Sequence, residues 1–128
     1  MDREKLLQHA YQVRENAYAP YSGYSVGAAL LGASGRIYTG CNVENAVYPE
    51  TICAERAAVV KAVSEGERDF LAIAVVTRDG GSPCGACRQV LSEFSSNMVV
   101  LIADLEGNLR ETTVGELLPD HFGPDNLR

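Results

Sequence analysis

The sequence is poor in basic residues and has no long apolar run. Its 128 residues include 11 lysines and arginines against 17 aspartates and glutamates, and the isoelectric point is near 4.8. Binding to a nucleic-acid backbone needs clustered Lys and Arg, so this balance argues against a nucleic-acid partner. No run is long enough to span a bilayer, and residues 1–15 lack the apolar segment of a signal peptide. We therefore expect a cytoplasmic protein with a small-molecule ligand and no membrane partner.

Histidine is scarce, whereas cysteine is not. The two histidines, His9 and His121, have no partner motif, so we expect both at the surface. The four cysteines occur in a chain without an export signal, which favours metal binding or redox chemistry over disulfide bonds. Cys41 ends a predicted strand, and we interpret it as a buried small apolar residue.

Hydrophobic patterning predicts a single α/β domain over residues 1–128. Helices are predicted at 2–17, 52–65, 83–94 and 113–118, and strands at 24–31, 36–41, 70–77, 98–103 and 109–112. Two fully apolar strands flank the third helix, so a right-handed βαβ crossover is expected there. The predicted architecture is a three-layer α/β/α sandwich with a mixed sheet of about five strands.

Three cysteines have the spacing of a metal site. Cys84 and Cys87 are separated by two residues, which lets both sulfurs reach one tetrahedral ion at about 2.3 Å. Cys53 could supply a third ligand and leave the fourth position to water, as in catalytic zinc sites. Glu55, two residues past Cys53, would then carry protons for that water. We expect Cys53 and Cys84 each in the first turn of its own helix, where the helix dipole lowers the thiol pKa.

Two arginines lie next to these ligands. Three thiolates on Zn²⁺ give a site of net charge −1, which makes a bound water less acidic, and Arg56 is the best candidate to offset that charge. Soft thiolate ligands favour zinc over harder-ligand metals. Arg88 follows Cys87, and we expect it to pack or pair near the metal site.

Other interpretations of the cysteines stay open on spacing alone. A CxxC pair is also typical of a redox dithiol, or of half a structural zinc site completed by Cys41 or a histidine. A structural zinc module would bind RNA or protein, and the acidic isoelectric point weighs against RNA. The presence of Glu55 beside Cys53 at a helix start favours the catalytic interpretation.

Several segments together resemble a known family. They are PYSGYSVGAA at 20–29, NVENA at 42–46, CAER at 53–56, PCGACRQ at 83–89 and LLP at 117–119. With them the chain is similar, over nearly its whole length, to the short, homotetrameric cytidine deaminases. The two cysteine segments match the zinc deaminase signature, which is shared across many deaminases. The NVENA loop is more discriminating, because it resembles the family's ribose-binding segment.

The resemblance implies hydrolysis of cytidine and deoxycytidine to uridine and deoxyuridine, with release of ammonia, in pyrimidine salvage. One zinc ion per subunit would activate the water that attacks C4 of the cytosine ring, and Glu55 would relay a proton to N3 and then to the departing amine. Asn42 and Glu44 would hydrogen-bond the ribose 3′-hydroxyl, and the backbone around Ala54 would contact the pyrimidine. The runner-up is a deaminase of another aminopyrimidine, such as a nucleoside antibiotic or free cytosine.

The resemblance also implies aromatic contacts and an oligomer. Family members usually carry Phe where this chain has Tyr24, and the tyrosine keeps the stacking face but adds a hydroxyl that needs a partner. Phe122 resembles a tail aromatic that reaches into a neighbouring subunit's site, and Tyr48 would likewise act across an interface; ordinary packing is the alternative for both. The implied homotetramer, with active sites near its interfaces, would bury small residues of the zinc helix, namely Ala57, Ala58 and Ala62.

Overall fold

Four helices and five strands follow one another in the predicted order. In the computed structural model, which describes residues 1–128, they are α1 (Arg3–Arg14), β1 (Gly27–Gly32), β2 (Ile37–Cys41), α2 (Ala54–Ser64), β3 (Phe70–Val76), α3 (Gly85–Ser92), β4 (Val99–Ala103), β5 (Leu109–Thr113) and α4 (Val114–Leu117). Short 3₁₀ turns lie at Tyr48–Glu50 and Pro124–Leu127. None of the helices has the length and apolar character needed to cross a membrane.

The strands form one mixed sheet in the order β2-β1-β3-β4-β5. Strand β1 runs antiparallel to both β2 and β3, and β5 runs antiparallel to β4. The one parallel pair, β3 and β4, is connected through α3, as expected for a βαβ unit. The prediction of a mixed five-stranded sheet is therefore confirmed.

Helices cover both faces of this sheet. On one face α1 packs Ala10 against Ala74 of β3. On the other face α2 and α3 pack Ala58 and Leu91 against Ile73, the residue beside Ala74. Successive residues of a strand point to opposite faces, so a strand covered on both faces becomes a continuous apolar run. The three-layer α/β/α prediction is confirmed.

The first residues of α2 and α3, the two helices next to the cysteines, differ from the prediction. Helices α2 and α3 begin later than expected, so Cys53 and Cys84 are the N-cap residues and do not lie in the first turn. Their ψ angles of 152° and 167° are those of extended backbone. An N-cap residue keeps this conformation because only its carbonyl joins the helix, which leaves its side chain outside the helical turn.

The expected interface role of the α2 alanines was wrong for two of the three. Ala58 and Ala62 are completely buried inside the subunit, where they belong to the core between α2 and the sheet. Small residues are needed there because the helix lies close to the strands. Ala57 is half-buried and keeps some exposed surface. Ala58 and Ala62 have none, so they are not accessible for contacts with another chain.

Two glycines allow the helices to lie directly on the sheet. A Cβ atom at Gly27 in β1 would stand 2.1 Å from the carbonyl oxygen of Ala10 in α1. A Cβ atom at Gly40 in β2 would stand 2.5 Å from the carbonyl oxygen of Ala54 in α2. Both obstacles are backbone atoms, which cannot rotate away, so any side chain at these positions must push a helix off the sheet.

Gly40→Ala should therefore destabilise the protein. We expect a loss of about 1–3 kcal/mol in the free energy of unfolding, the usual effect of overpacking a core, measured by equilibrium denaturation. Gly85→Ala is the matched control, because a Cβ atom there meets no heavy atom within 4 Å and alanine favours the helix. Equal stability of the Gly40→Ala variant and the wild type would contradict this description of the α2 packing.

Candidate metal centre and active site

Cys53, Cys84 and Cys87 bring their sulfur atoms together. The three Sγ atoms all lie within 4.8 Å of one another, and those of Cys53 and Cys84 are 4.0 Å apart. A tetrahedral zinc ion with Zn–S bonds of about 2.3 Å holds its sulfurs roughly 3.8 Å apart. The sulfur spacing therefore fits a zinc ion, and so does the donor chemistry, because thiolates are soft ligands.

The positions of the cysteines at the helix ends explain why they converge. Cys84 is the N-cap of α3 and Cys87 is the third residue of that helix. The N-cap and N3 side chains of a helix face each other, as in a capping box. Cys53 is the N-cap of α2. The positive ends of two helix dipoles therefore point to the cluster, which favours negative charge at this place.

No fourth protein ligand joins the three sulfurs. Neither Cys41 nor a histidine belongs to the cluster, so the closed four-ligand site considered from the sequence is not what the structure shows. Cys53 and Cys84 border a cavity, so an ion held by the three sulfurs would be accessible to a small molecule from that cavity. This is the arrangement of catalytic zinc sites, which keep one position for water or substrate.

Arg56 lies against the cluster, as predicted for a charge-tuning residue. Its Nη2 donates to the carbonyl oxygen of Thr51 at 3.0 Å and lies 3.9 Å from Cys53 Sγ. Hydrogen bonds from Cys87 and then from Arg56 lower the pKa of Cys53 to about 5. The Cys87 thiol, which donates to Cys53 and is buried, has its pKa raised. The Nε of Arg56 is buried without a partner, which leaves a further donor beside the sulfurs.

Glu55 is the second residue of α2 and is only 5% exposed. Burial, followed by the negative charge of Cys53, raises the pKa of its carboxyl group to about 7. A carboxyl group with a pKa near the working pH both accepts and donates protons readily. The structure thus places an acid–base group at the edge of the metal cluster, where it lines the same cavity as Cys53 and Cys84.

The cavity has a volume of about 300 Å³, at the lower end for small-molecule sites. Its walls come from three loops, strand β3 and two helix starts: Ser22, Tyr24, Val26, Asn42, Glu44, Thr51, Cys53, Ala54, Glu55, Val75, Thr77, Gly81, Ser82 and Cys84. The predicted substrate contacts Asn42, Glu44, Tyr24 and Ala54 are all among them. A cavity of this size with a metal cluster at one side fits a single small polar molecule.

Asn42 and Glu44 organise the loop that precedes β1. Asn42, which is buried, accepts from the backbone N–H of Val26 and donates to the carbonyl oxygen of Tyr24, both at 2.9 Å. Glu44 accepts from the N–H groups of Tyr21 and Ser22 at 2.9 and 3.1 Å and from the Ser22 hydroxyl. The hydroxyl of Ser22 and these backbone bonds hold the pKa of Glu44 below its usual value. Both side chains are therefore fixed in orientation at the cavity wall.

Tyr48 and Phe122 do not line this cavity. Tyr48 is 69% exposed and borders an adjacent groove of about 260 Å³, in which its ring contacts that of Tyr21. Phe122 is 61% exposed, and its carbonyl oxygen accepts from Gln89 Nε2 at 2.9 Å. Neither aromatic ring is packed in the core of the chain.

Sequence reasoning missed the segment between β3 and α3. Thr77, Gly81 and Ser82 line the cavity, and Asp79 lies just behind Gly81, to whose N–H it is hydrogen-bonded. The available signal was the polar run that follows the apolar strand β3. Arg88 holds this segment in place, because it donates to the Pro83 and Leu117 carbonyl oxygens and to the Ser82 hydroxyl at 2.8–2.9 Å.

Comparison with known proteins agrees with this geometry. Residues 1–103 match the family model described as the cytidine and deoxycytidylate deaminase zinc-binding region, so the chain belongs to this family of zinc-binding deaminases. Two relatives that align over nearly their whole length narrow the comparison within this family. The cytidine deaminases of Sporosarcina psychrophila and Halalkalibacterium halodurans are 53% and 50% identical to this chain. The alignments cover 99% of this chain in both cases, and 96% and 98% of those proteins.

A solved structure shows the same fold. The crystal structure of cytidine deaminase from Burkholderia pseudomallei is similar to this chain with a TM-score of 0.92 and 46% sequence identity. The superposition covers 95% of this chain and 100% of that chain. The family and fold predicted from the sequence motifs are confirmed by these comparisons.

Replacing one sulfur ligand should remove the metal. We expect Cys87→Ser to lower zinc affinity by roughly 100-fold or more and to reduce stability, because thiolate–metal bonds also contribute to folding. Zinc per chain, measured by elemental analysis, checks this. Cys41→Ser is the matched control, since Cys41 is a free cysteine outside the cluster, and it should retain one zinc per chain. Full zinc content in the Cys87→Ser protein would rule out Cys87 as a ligand.

Proposed function

We propose that the protein hydrolyses cytidine and deoxycytidine to uridine and deoxyuridine and releases ammonia. The observation that carries this proposal is the position of the buried Glu55 beside three converging sulfurs in one small cavity. Family membership supports the reaction class, and full-length relatives named cytidine deaminase support the substrate. In this reaction the C4–N bond of the base is broken and a C4–O bond is formed from water.

Cys53, Cys84 and Cys87 hold one zinc ion in this proposal. Zinc, when bound, supplies a Lewis acid that makes a water molecule acidic at neutral pH. Arg56 offsets part of the negative charge that the thiolates bring. These residues prepare the nucleophile.

Glu55 moves the protons. Its pKa near 7 allows it to take a proton from the attacking water and pass it to N3 of the base, and then to assist departure of the amine as ammonia. The side chain is nearly inaccessible to solvent, so the proton stays within the site. The backbone at Ala54, which borders the cavity, contacts the pyrimidine ring.

The polar loop after β2 binds the sugar in this proposal. Asn42 retains one amide hydrogen and Glu44 retains free lone pairs beyond the bonds that fix their orientation. Side chains fixed in this way bind a ribose 3′-hydroxyl without further ordering. Such a site rejects molecules that lack the hydroxyl, because its buried polar groups would then be left unpaired.

We further propose a homotetramer with its active sites near the subunit interfaces. The support is the exposure of two aromatic side chains, Tyr48 at the groove beside the substrate cavity and Phe122 in the C-terminal segment. Exposed aromatic side chains are typical of protein interfaces. Residues 1–128 act as one deaminase domain in each subunit, with a nucleoside as the partner and no nucleic-acid polymer. A cytoplasmic role in pyrimidine salvage suits such a substrate.

Glu55→Gln should separate metal binding from chemistry. Glutamine keeps the shape of the side chain but cannot exchange protons, so we expect one zinc per chain with turnover of cytidine reduced by roughly 10²- to 10⁴-fold. Ultraviolet absorbance follows the conversion. Glu93→Gln, an exposed position at the end of α3, is the control and should behave as wild type. Turnover near the wild-type rate in Glu55→Gln would remove the proton-transfer role.

The sugar-binding proposal predicts a substrate order. We expect kcat/KM for free cytosine to be at least roughly 100-fold below that for cytidine and deoxycytidine, because cytosine leaves Asn42 and Glu44 without their hydroxyl partner. Steady-state assays of the three substrates on one zinc-loaded sample provide the measurement. A faster reaction with cytosine than with cytidine would exclude a ribose contact at this loop.

A further inference from the structure

The Tyr24 hydroxyl has a partner outside the groups already assigned to the reaction. It donates to Asp79 Oδ1 at 2.5 Å, across 55 residues of sequence. The tyrosine ring lines the cavity, whereas Asp79 stands behind the cavity wall. This bond therefore connects the loop before β1 with the segment after β3, two of the pieces that enclose the cavity.

Asp79 is itself held in a fixed position. The same Oδ1 atom accepts from the Gly81 N–H at 3.2 Å and from the Thr77 hydroxyl at 3.3 Å. Thr77 is buried, and its hydroxyl also accepts from the Gly81 N–H at 2.8 Å. The hydrogen bond from Tyr24 is the largest cause of a lowered pKa at Asp79, so the acceptor is ionised at neutral pH.

Two further contacts restrict the ring of Tyr24. The guanidinium carbon of Arg78 lies 5.0 Å from the ring centroid, within cation–π range. Arg78 does not border the cavity, so it covers the ring from outside. A Cβ atom added to Gly81 would stand 2.5 Å from the Tyr24 hydroxyl oxygen. The hydroxyl thus fits against a position where only glycine leaves enough room.

We propose that Asp79 is a positioning residue that sets substrate affinity by holding the Tyr24 ring in place at the cavity wall. The inference rests on the proposed function, since it concerns the affinity of that cavity for a nucleoside. Asp79 contacts no substrate in this scheme. Its effect reaches the substrate only through the hydroxyl of Tyr24, and Gly81 provides the space that this hydroxyl needs.

Three substitutions test the connection, with cytidine as substrate. Tyr24→Phe removes the hydroxyl and keeps the ring, and Asp79→Ala removes its acceptor. Each should raise KM roughly three- to ten-fold, the effect of losing one hydrogen bond of ordinary net strength, while kcat changes less than two-fold. Gly81→Ala should raise KM similarly, because its methyl group displaces the hydroxyl. The inhibition constant of uridine should rise in parallel.

Combining the substitutions distinguishes positioning from general damage to the loop. In the Tyr24→Phe background both Asp79→Ala and Gly81→Ala should cause no further rise in KM, because the hydroxyl through which they act is gone. The next atom that the Gly81 methyl group meets is Asp79 Oδ1 at 3.6 Å, an ordinary contact. Asp104→Ala is the matched control: Asp104 also caps a turn by accepting backbone N–H groups, lies outside the cavity, and should leave KM unchanged.

The outcomes separate this inference from the proposed function. If the wild type does not convert cytidine, the proposed function fails and the inference fails with it. If the wild type is active and Tyr24→Phe leaves KM unchanged, only the inference is overturned. It is overturned as well if Asp79→Ala or Gly81→Ala raises KM equally with and without the tyrosine hydroxyl. Non-additive increases confined to KM support it.

Discussion

The convergence of two helix N-termini on one point is the constraint on which the rest of the structure depends. Each N-terminus carries a cysteine at its cap, and α3 adds Cys87 one turn later. Three thiolates in one place would repel one another strongly without compensation. The helix N-termini and the guanidinium group of Arg56 bring positive charge to this place, and a bound metal ion would add to it. The sheet holds the helices in this arrangement, and Gly40 of β2 makes the close packing of α2 possible.

Burial gives the neighbouring carboxyl group its chemical character. Glu55 lies in the first turn of α2, two residues after the N-cap Cys53, and its side chain is enclosed whereas that of Cys53 is partly exposed at the cavity. Desolvation and a nearby negative charge both raise the pKa of Glu55. Exclusion of water from this position therefore also raises the pKa of Glu55 to a value at which the carboxyl group exchanges protons at neutral pH.

The remaining cavity walls are loops, and polar side chains hold them in place. Asn42 and Glu44 fix the segment before β1 through backbone hydrogen bonds, and Arg88 fixes the segment before α3. Asp79 connects these two segments through Tyr24. The hydrogen bonds fix the loops around the cavity, which preserves room for a small ligand.

The local sequence determined which residues form the metal and acid–base site and which segments form the central strands. The members of the CxxC pair and of the Cys53–Glu55 pair are close together in the sequence, and the apolar runs of β3 and β4 favour buried strands, so these features were predictable. Tertiary structure alone decided that Cys53 and Cys84 cap their helices, that Ala58 and Ala62 belong to the core, and that Tyr24 meets Asp79. Such outcomes depend on contacts between segments far apart in the chain, and residue type or periodicity carries no information about those partners.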